Sequence, residues 1–387
     1  MKSSHRVVLP LATALVLASV LASPGADAQL PSPRSLEAVY VSASSNAKAA
    51  TCGRRSAPCK TITDGLARVK TGGVVHVEPG VYKEQVVVTK RLSLVGSYAA
   101  VDALGLSSGS GNTLDAAAIL LTPSASGSSV EGFSVHGAYG EGILVMRASH
   151  VLIADNTVSG NDLGNKSNTQ YLECEPQGQV PGDCGEGIHL MSATKSTVAD
   201  NRVIGNSGGI LITDEMGPAS GNRILHNYVA DNLYDCGITL PSHSTTAVSK
   251  AGVPQPSKGG VFDNLVRGNT VIGNGVIGAG AGILIAAAAP GGGSYDNRIV
   301  DNIIEGNGMP GVTIHAHAPS QDVSGNVITG NRIGPNNLVG DPDANVFVTT
   351  GILVFSAVVP VSVTLSGNRV TGDVHDVWKS RNVHVKH

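Results

Sequence analysis

Along the chain from about residue 130, apolar and polar positions repeat one short phrase: Asn, any residue, an apolar residue, any residue, Gly or Asp, then Asn. It occurs at Asn156–Asn161, Asn201–Asn206, Asn227–Asn232, Asn269–Asn274, Asn302–Asn307 and Asn326–Asn331, with a degenerate copy from Asn368. Three copies extend backwards with the same spacing of five: Asn222, Asn227, Asn232; Asn264, Asn269, Asn274; Asn297, Asn302, Asn307. Five fits neither helix period and leaves three or four residues between corners. Val and Ile fill those gaps, as strands prefer. A second phrase, Gly followed by a β-branched residue, recurs at Gly142, Gly187, Gly209, Gly237, Gly282, Gly311 and Gly351.

This pattern predicts an all-β fold, a single-stranded right-handed parallel β-helix or solenoid. Each coil has three short strands and three turns. Asn tolerates the left-handed conformation of a sharp corner, and stacked Asn amides bond from coil to coil. The shortest repeat intervals, 24 to 26 residues, match one coil. Longer intervals mark loop insertions at 162–185, 241–262 and 334–349. Residues 36–98 read as the N-terminal cap and first coils, with 99–387 as the stack. A helix over Thr63–Lys70 is expected to close the open end of the core. A β-propeller would repeat at about 40 residues with Trp signatures, and the chain has a single Trp, Trp378.

Composition narrows the classes. The net charge is −3 and charged residues are only 14%. With no basic excess to track phosphates, nucleic acid is excluded as a partner. Lys2, His5 and Arg6, then the uncharged run Val7 to Leu21, then Ala26-Asp27-Ala28 form a secretory signal over 1–28. The expected destination is secreted or periplasmic, with no membrane span after signal removal. In that oxidising setting the cysteines read as loop staples, Cys52–Cys59 and Cys174–Cys184, with Cys236 left over.

The segments Tyr40-Val41-Ser42, Pro58-Cys59-Lys60-Thr61-Ile62, Gly72-Gly73-Val74-Val75-His76-Val77 and Pro79-Gly80-Val81-Tyr82-Lys83-Glu84 precede the Asn repeats. Together they make nearly all the mature chain resemble the pectin-lyase-like superfamily of secreted right-handed β-helices. The nitrous-oxide-accessory and alginate-epimerase-type repeat proteins are the most similar. The resemblance implies cleavage or epimerisation of acidic polysaccharides, or sugar hydrolysis, and carries no site residue across. The epimerase-type Asp-Pro-His-Asp phrase is absent; Asp341-Pro342-Asp343 lacks the His and lies in a loop.

Stacking turns equivalent positions into columns about 4.8 Å apart per coil. One residue ahead of the Gly phrase stand Glu141 and Glu186, with Asp235 two ahead in a later coil. Tyr139 and Tyr234 stand three ahead. The insertion beside them adds Tyr171, Glu173, Glu175 and Asp183. This edge is expected to be a sugar groove, with carboxylates for acid–base work or for calcium, for which Glu141 and Glu186 are the candidates. Tyr139, Tyr171, Tyr234, Asp214 and His243 would bind substrate. A second column holds Lys195, Asp214, Glu215, His243, His315 and His317, roughly 20 Å away along an extended strand. The two form one site only if the turn folds back. His189 lies between them, expected on the outer face as a titrating base. His315 and His317 alternate and could bind a metal. Two functions stay open: a carbohydrate-active enzyme (lyase, epimerase or glycoside hydrolase) on a poly- or oligosaccharide, or a non-catalytic exported β-helix binding a surface polymer or metal.

Overall fold

The computed structural model describes residues 35–106, 117–162 and 186–387. The expected signal 1–28, Tyr171, Glu173, Glu175, Asp183 and the Cys174–Cys184 bridge lie outside them. The described chain is a right-handed parallel β-helix. One wall is a ten-stranded parallel sheet. It runs from Val86–Val88 through Ile119–Leu121, Ile143–Met146, Glu186–Met191, Gly208–Thr213, Ile238–Ser242, Ile283–Ala287, Val312–Ala316 and Thr350–Ser356 to His375–Lys379. The facing walls come from pairs of three-residue strands such as Arg223–Leu225 with Tyr228–Ala230, and Leu265–Arg267 with Thr270–Ile272. Each stacks in parallel on its equivalent, Arg223 on Leu265 and Leu265 on Arg298.

The phrase explains itself in this geometry. The central residue of each short strand points inward, and Ile224, Val229, Val266, Val271, Ile299 and Ile304 are fully buried. Burying each such side chain contributes about 1.5–3 kcal/mol. The Asn residues form three ladders. In one, the Nδ2 of Asn156, Asn201, Asn227, Asn269, Asn302 and Asn331 each donates to the Oδ1 of the next, ending on Asn368. A second runs from Asn161 through Asn206, Asn232, Asn274 and Asn307 to Asn336. A third joins Asn222, Asn264 and Asn297.

The left-handed corner belongs to a different residue from the one expected. The position before the ladder Asn takes it, as Asp155, Asp200, Asp231, Asp263, Asp296 and Asp301, with φ of 54–56°. Gly268 and Gly273 fill the same role before Asn269 and Asn274. The reason is directional: a ladder Asn must aim its amide into the stack, so its neighbour bends. The Gly phrase is a matter of space. A Cβ on Gly237 would lie 2.4 Å from Val271 Cγ1 and 2.8 Å from Asn274 Nδ2, so the wall passes a ladder only where a side chain is missing.

The helix is Ile62–Arg68, one residue earlier at its start than expected and two shorter at its end. Thr61 caps it by accepting from Asp64 N, and the Glu84 carboxylate takes Ile62 N at 2.7 Å and Thr63 N at 2.8 Å. At Val69 the backbone is already extended and enters the strand Val69–Val77. Cys52 and Cys59 form the expected disulfide; Cys236 is free and buried. Among the described residues no helix is long and apolar enough to cross a membrane.

Candidate functional site

The outer face of the ten-stranded sheet carries a groove of about 730 Å³. Tyr234 and Asp235 form one wall, and His315, His317 and Asp343 another. Thr239, Leu284 and Ala286 lie in it, with Thr239 beside Leu284 in the register and Ala286 beside His315. Gly278 and Gly280 let a loop settle on the Tyr234 side. A Cβ on Gly278 would lie 1.8 Å from the Tyr234 carbonyl oxygen. No Lys or Arg lines the groove among the described residues.

Glu141 and Glu186 do share a column: Gly142 N donates to Glu186 O at 3.0 Å. Both are buried and neither lines the groove, so of the three acids expected to form a sugar groove only Asp235 reaches it. The next position in the column is Gly208. A Cβ there would lie 3.1 Å from Glu186 Cγ and 3.2 Å from Asp235 Cβ. The glycine therefore leaves the space in which Glu186 and Asp235 flank one another. Asp235 is half-buried and its Oδ1 accepts from Cys236 N at 2.6 Å. Tyr139 is half-buried and does not line the groove.

His189 alternates with core Ile188 and Leu190, as expected of an outward residue, and stands between Leu144 and Leu211 in the register. It is nevertheless buried, at 1% exposure, so the expectation of a surface His fails. Its Nδ1 lies 3.2 Å from Glu141 Oε1 and its Nε2 2.8 Å from Thr213 Oγ1. Thr213 donates to Glu215 Oε2, and Glu215 Oε1 lies 2.9 Å from His243 Nδ1. A chain of side-chain contacts from Glu141 through His189 and Thr213 to Glu215 and His243 thus links the two columns across the face of the sheet. Burial raises the Glu215 carboxyl, but the His243 hydrogen bond, the charges of His189 and His243 and the Thr213 hydroxyl outweigh it and hold it at about 2.

Asp214 has another task. Its carboxylate accepts from Ser242 Oγ (2.8 Å), His243 N (2.6 Å), Ser244 N (3.1 Å) and Gly260 N (2.5 Å), pinning both ends of the 241–262 insertion. Burial still leaves it above the ordinary carboxylate range. His243 and Asp214 are therefore built into this wall and do not line the groove. Lys195 is an exposed corner residue with φ 52°.

The loop 334–349 supplies what the sequence left unconnected. Asp341 Oδ2 accepts from His315 Nε2 at 2.9 Å, and both are buried. Asp343 Oδ2 lies 3.8 Å from His315 Nδ1 and 3.6 Å from His317 Nε2. Burial raises the Asp341 carboxyl, but the His315 bond and charge and two backbone N–H groups bring it below its usual value. The Asp341-Pro342-Asp343 phrase was the available signal. What the sequence could not show is that the strand Val312–Ala316 brings His315 to it.

A family model described as "Right handed beta helix region" matches residues 110–262. No curated protein sequence matches. Among solved structures, an alginate lyase from Paenibacillus sp. str. FPU-7 is 13% identical with TM-score 0.54, covering 84% of this chain and 96% of that one. The A-module of a mannuronan C-5 epimerase from Azotobacter vinelandii is 14% identical with TM-score 0.50, covering 81% and 90%. The enzymatically active domain of tailspike protein 2 from bacteriophage CBA120 is 12% identical with TM-score 0.52, covering 84% and 44%. At these identities the likeness is one of fold. The chain has the right-handed parallel β-helix fold.

Proposed function

We propose that this chain is an exported carbohydrate-active protein that acts on a polysaccharide lying in the groove on its ten-stranded sheet. The observation that carries the reading is the groove itself, with a tyrosine face and a carboxylate on one wall and imidazoles and a second carboxylate on another. Its kinship in fold with an alginate lyase and a mannuronan epimerase supports the same substrate class. Tyr234 offers a stacking face to a sugar ring. Asp235 is the acid–base group: it takes or gives the proton that moves when a glycosidic bond breaks or a ring carbon inverts. Glu186 supports Asp235 across Gly208, and the Glu141–His189–Thr213–Glu215 chain keeps that wall rigid and its charges paired.

The test is a panel of uronic-acid polymers and neutral glycans, with and without calcium. Reducing ends report hydrolysis, ultraviolet absorbance of a new C=C bond reports elimination, and proton NMR reports epimerisation. On the polymer that responds, Asp235→Asn should cost about 100-fold or more in rate, with an unchanged melt. Full activity in that variant overturns the assignment. A panel blank throughout, with polymer still retarding the protein in affinity gels, leaves a binding protein instead. That Tyr234 is the single tyrosine lining the groove among the described residues suits that second reading too.

A further inference from the structure

We propose that His315 Nδ1, His317 Nε2 and Asp343 form a site for a divalent transition metal of the zinc class, open toward the groove. Three observations carry it. First, the three ligand atoms lie within 4.8 Å of one another. Their separations from Asp343 Oδ2, 3.8 and 3.6 Å, exceed a hydrogen bond. They approach the spacing of two ligands on one tetrahedral ion, roughly 3.4 Å for metal–ligand bonds of about 2.1 Å. Second, His315 is already oriented. Buried Asp341 accepts its Nε2–H at 2.9 Å, which leaves the lone pair on Nδ1, the nitrogen facing Asp343. This carboxylate–histidine pair is the support a metal-bound imidazole uses. Asp341 is itself fixed by Ala344 N at 3.0 Å and by its backbone pair with Val346. Third, Phe355 packs edge-on against His315 and tilted against His317, at 5.8 and 5.5 Å, with Trp378 behind it. The two rings are held in place before any ion arrives.

Two imidazoles and one carboxylate select zinc-like ions over calcium, which takes six to eight oxygens. Three protein ligands leave a fourth position, and all three residues line the groove. That position would accept an oxygen of the bound sugar, a uronate carboxylate above all. It would supply the positive charge that no lining side chain provides. This last consequence rests on the polysaccharide reading; the metal site does not.

The experiment is calorimetric titration of chelator-stripped protein with zinc sulfate and, separately, calcium chloride. One equivalent of zinc should bind, and calcium should not compete. His317→Ala and Asp343→Ala, both partly exposed, should keep the wild-type melt and lose that equivalent. Asp341→Asn should retain it at about 10–100-fold lower affinity. Cobalt(II) in place of zinc should show the visible bands of a four-coordinate nitrogen–oxygen site in the wild type and not in His317→Ala. No stoichiometric zinc, or zinc held equally by both alanine variants, overturns the site. The titration contains no sugar, so a blank polymer panel leaves its result standing.

Discussion

Asp214 shows how one carboxylate can set the shape of a loop. It gathers four donors from both ends of the 241–262 insertion, two of them buried Ser242 Oγ and Gly260 N. Asp214→Ala strands those donors. The expected loss is on the order of 3 kcal/mol, from two buried groups left unpaired. Thermal melting reads the loss, and limited proteolysis should find new cuts within 245–258. A variant that melts like the wild type and resists the protease would show that the insertion holds itself. At this scale the sequence was only half readable. It marked Glu141, Glu186 and Asp235 as one edge, because their offsets from the Gly phrase are local. It could not show that Asp341 and Asp343 meet His315 and His317. Those pairs lie some 26 residues apart with a loop between, and no periodicity ties a loop residue to a strand. Nor could it show that His189 is covered, since alternation fixes which way a side chain points and not what lies above it.

The ladders are the element that the repeat announced most directly. Asn302 is buried. It donates to Val266 O at 3.1 Å and Asn331 Oδ1 at 2.9 Å, and its own Oδ1 accepts from Asn269 N and Nδ2. Asn302→Ala should cost roughly 1–3 kcal/mol for each buried partner left unpaired. Asn46→Ala, at an exposed position, should cost almost nothing. Equal, small shifts in the two melts would remove the ladder from the account of stability. The sequence misassigned only the corner, because "Gly or Asp, then Asn" does not say which of the two residues bends.

The second ladder ends differently from the first, with Asp373 Oδ1 accepting from Asn336 N at 2.9 Å. Asp373 Oδ2 is buried without a hydrogen-bond partner among the described residues. Burial, then Asp376, push this carboxyl up to about 6 against the pull of the Asn336 N–H. The folded chain therefore holds this proton more tightly than the unfolded one. The resulting stabilisation is full below the ordinary value of 3.8 and disappears as pH rises through about 6. Asp373→Asn keeps an amide oxygen for the rung and cannot ionise. Its melting temperature should exceed wild type near neutrality and match it in acid. A constant offset at all pH values would mean that ionisation of Asp373 is not the cause.

In the whole molecule, each coil touches only its neighbours, so stability is a sum over coils and their interfaces. Val312–Ala316 has a strand on either side, Ile283–Ala287 and Thr350–Ser356. Among the described residues His375–Lys379 pairs with Thr350–Ser356 alone, and its side chains are mostly exposed. Hydrogen exchange should find its amides at least about tenfold faster than those of Val312–Ala316. Equal rates would mean that the stack opens as one unit.

The ladders also determine how such a chain can change its length. Successive rungs of one ladder are 45, 26, 42, 33, 29 and 37 residues apart, yet every rung finds its partner. Between ladders the spacing stays at five, as in Asn222, Asn227, Asn232 and in Asn326, Asn331, Asn336. A deletion of one residue inside that arc would put at least one of its amides out of register. The same deletion in one of the loop insertions changes only a loop. Length is thus quantised in the ladder arcs and free in the insertions. The 241–262 insertion and the loop carrying Asp341 and Asp343 are such places, where new chemistry can be added without disturbing the frame that holds it.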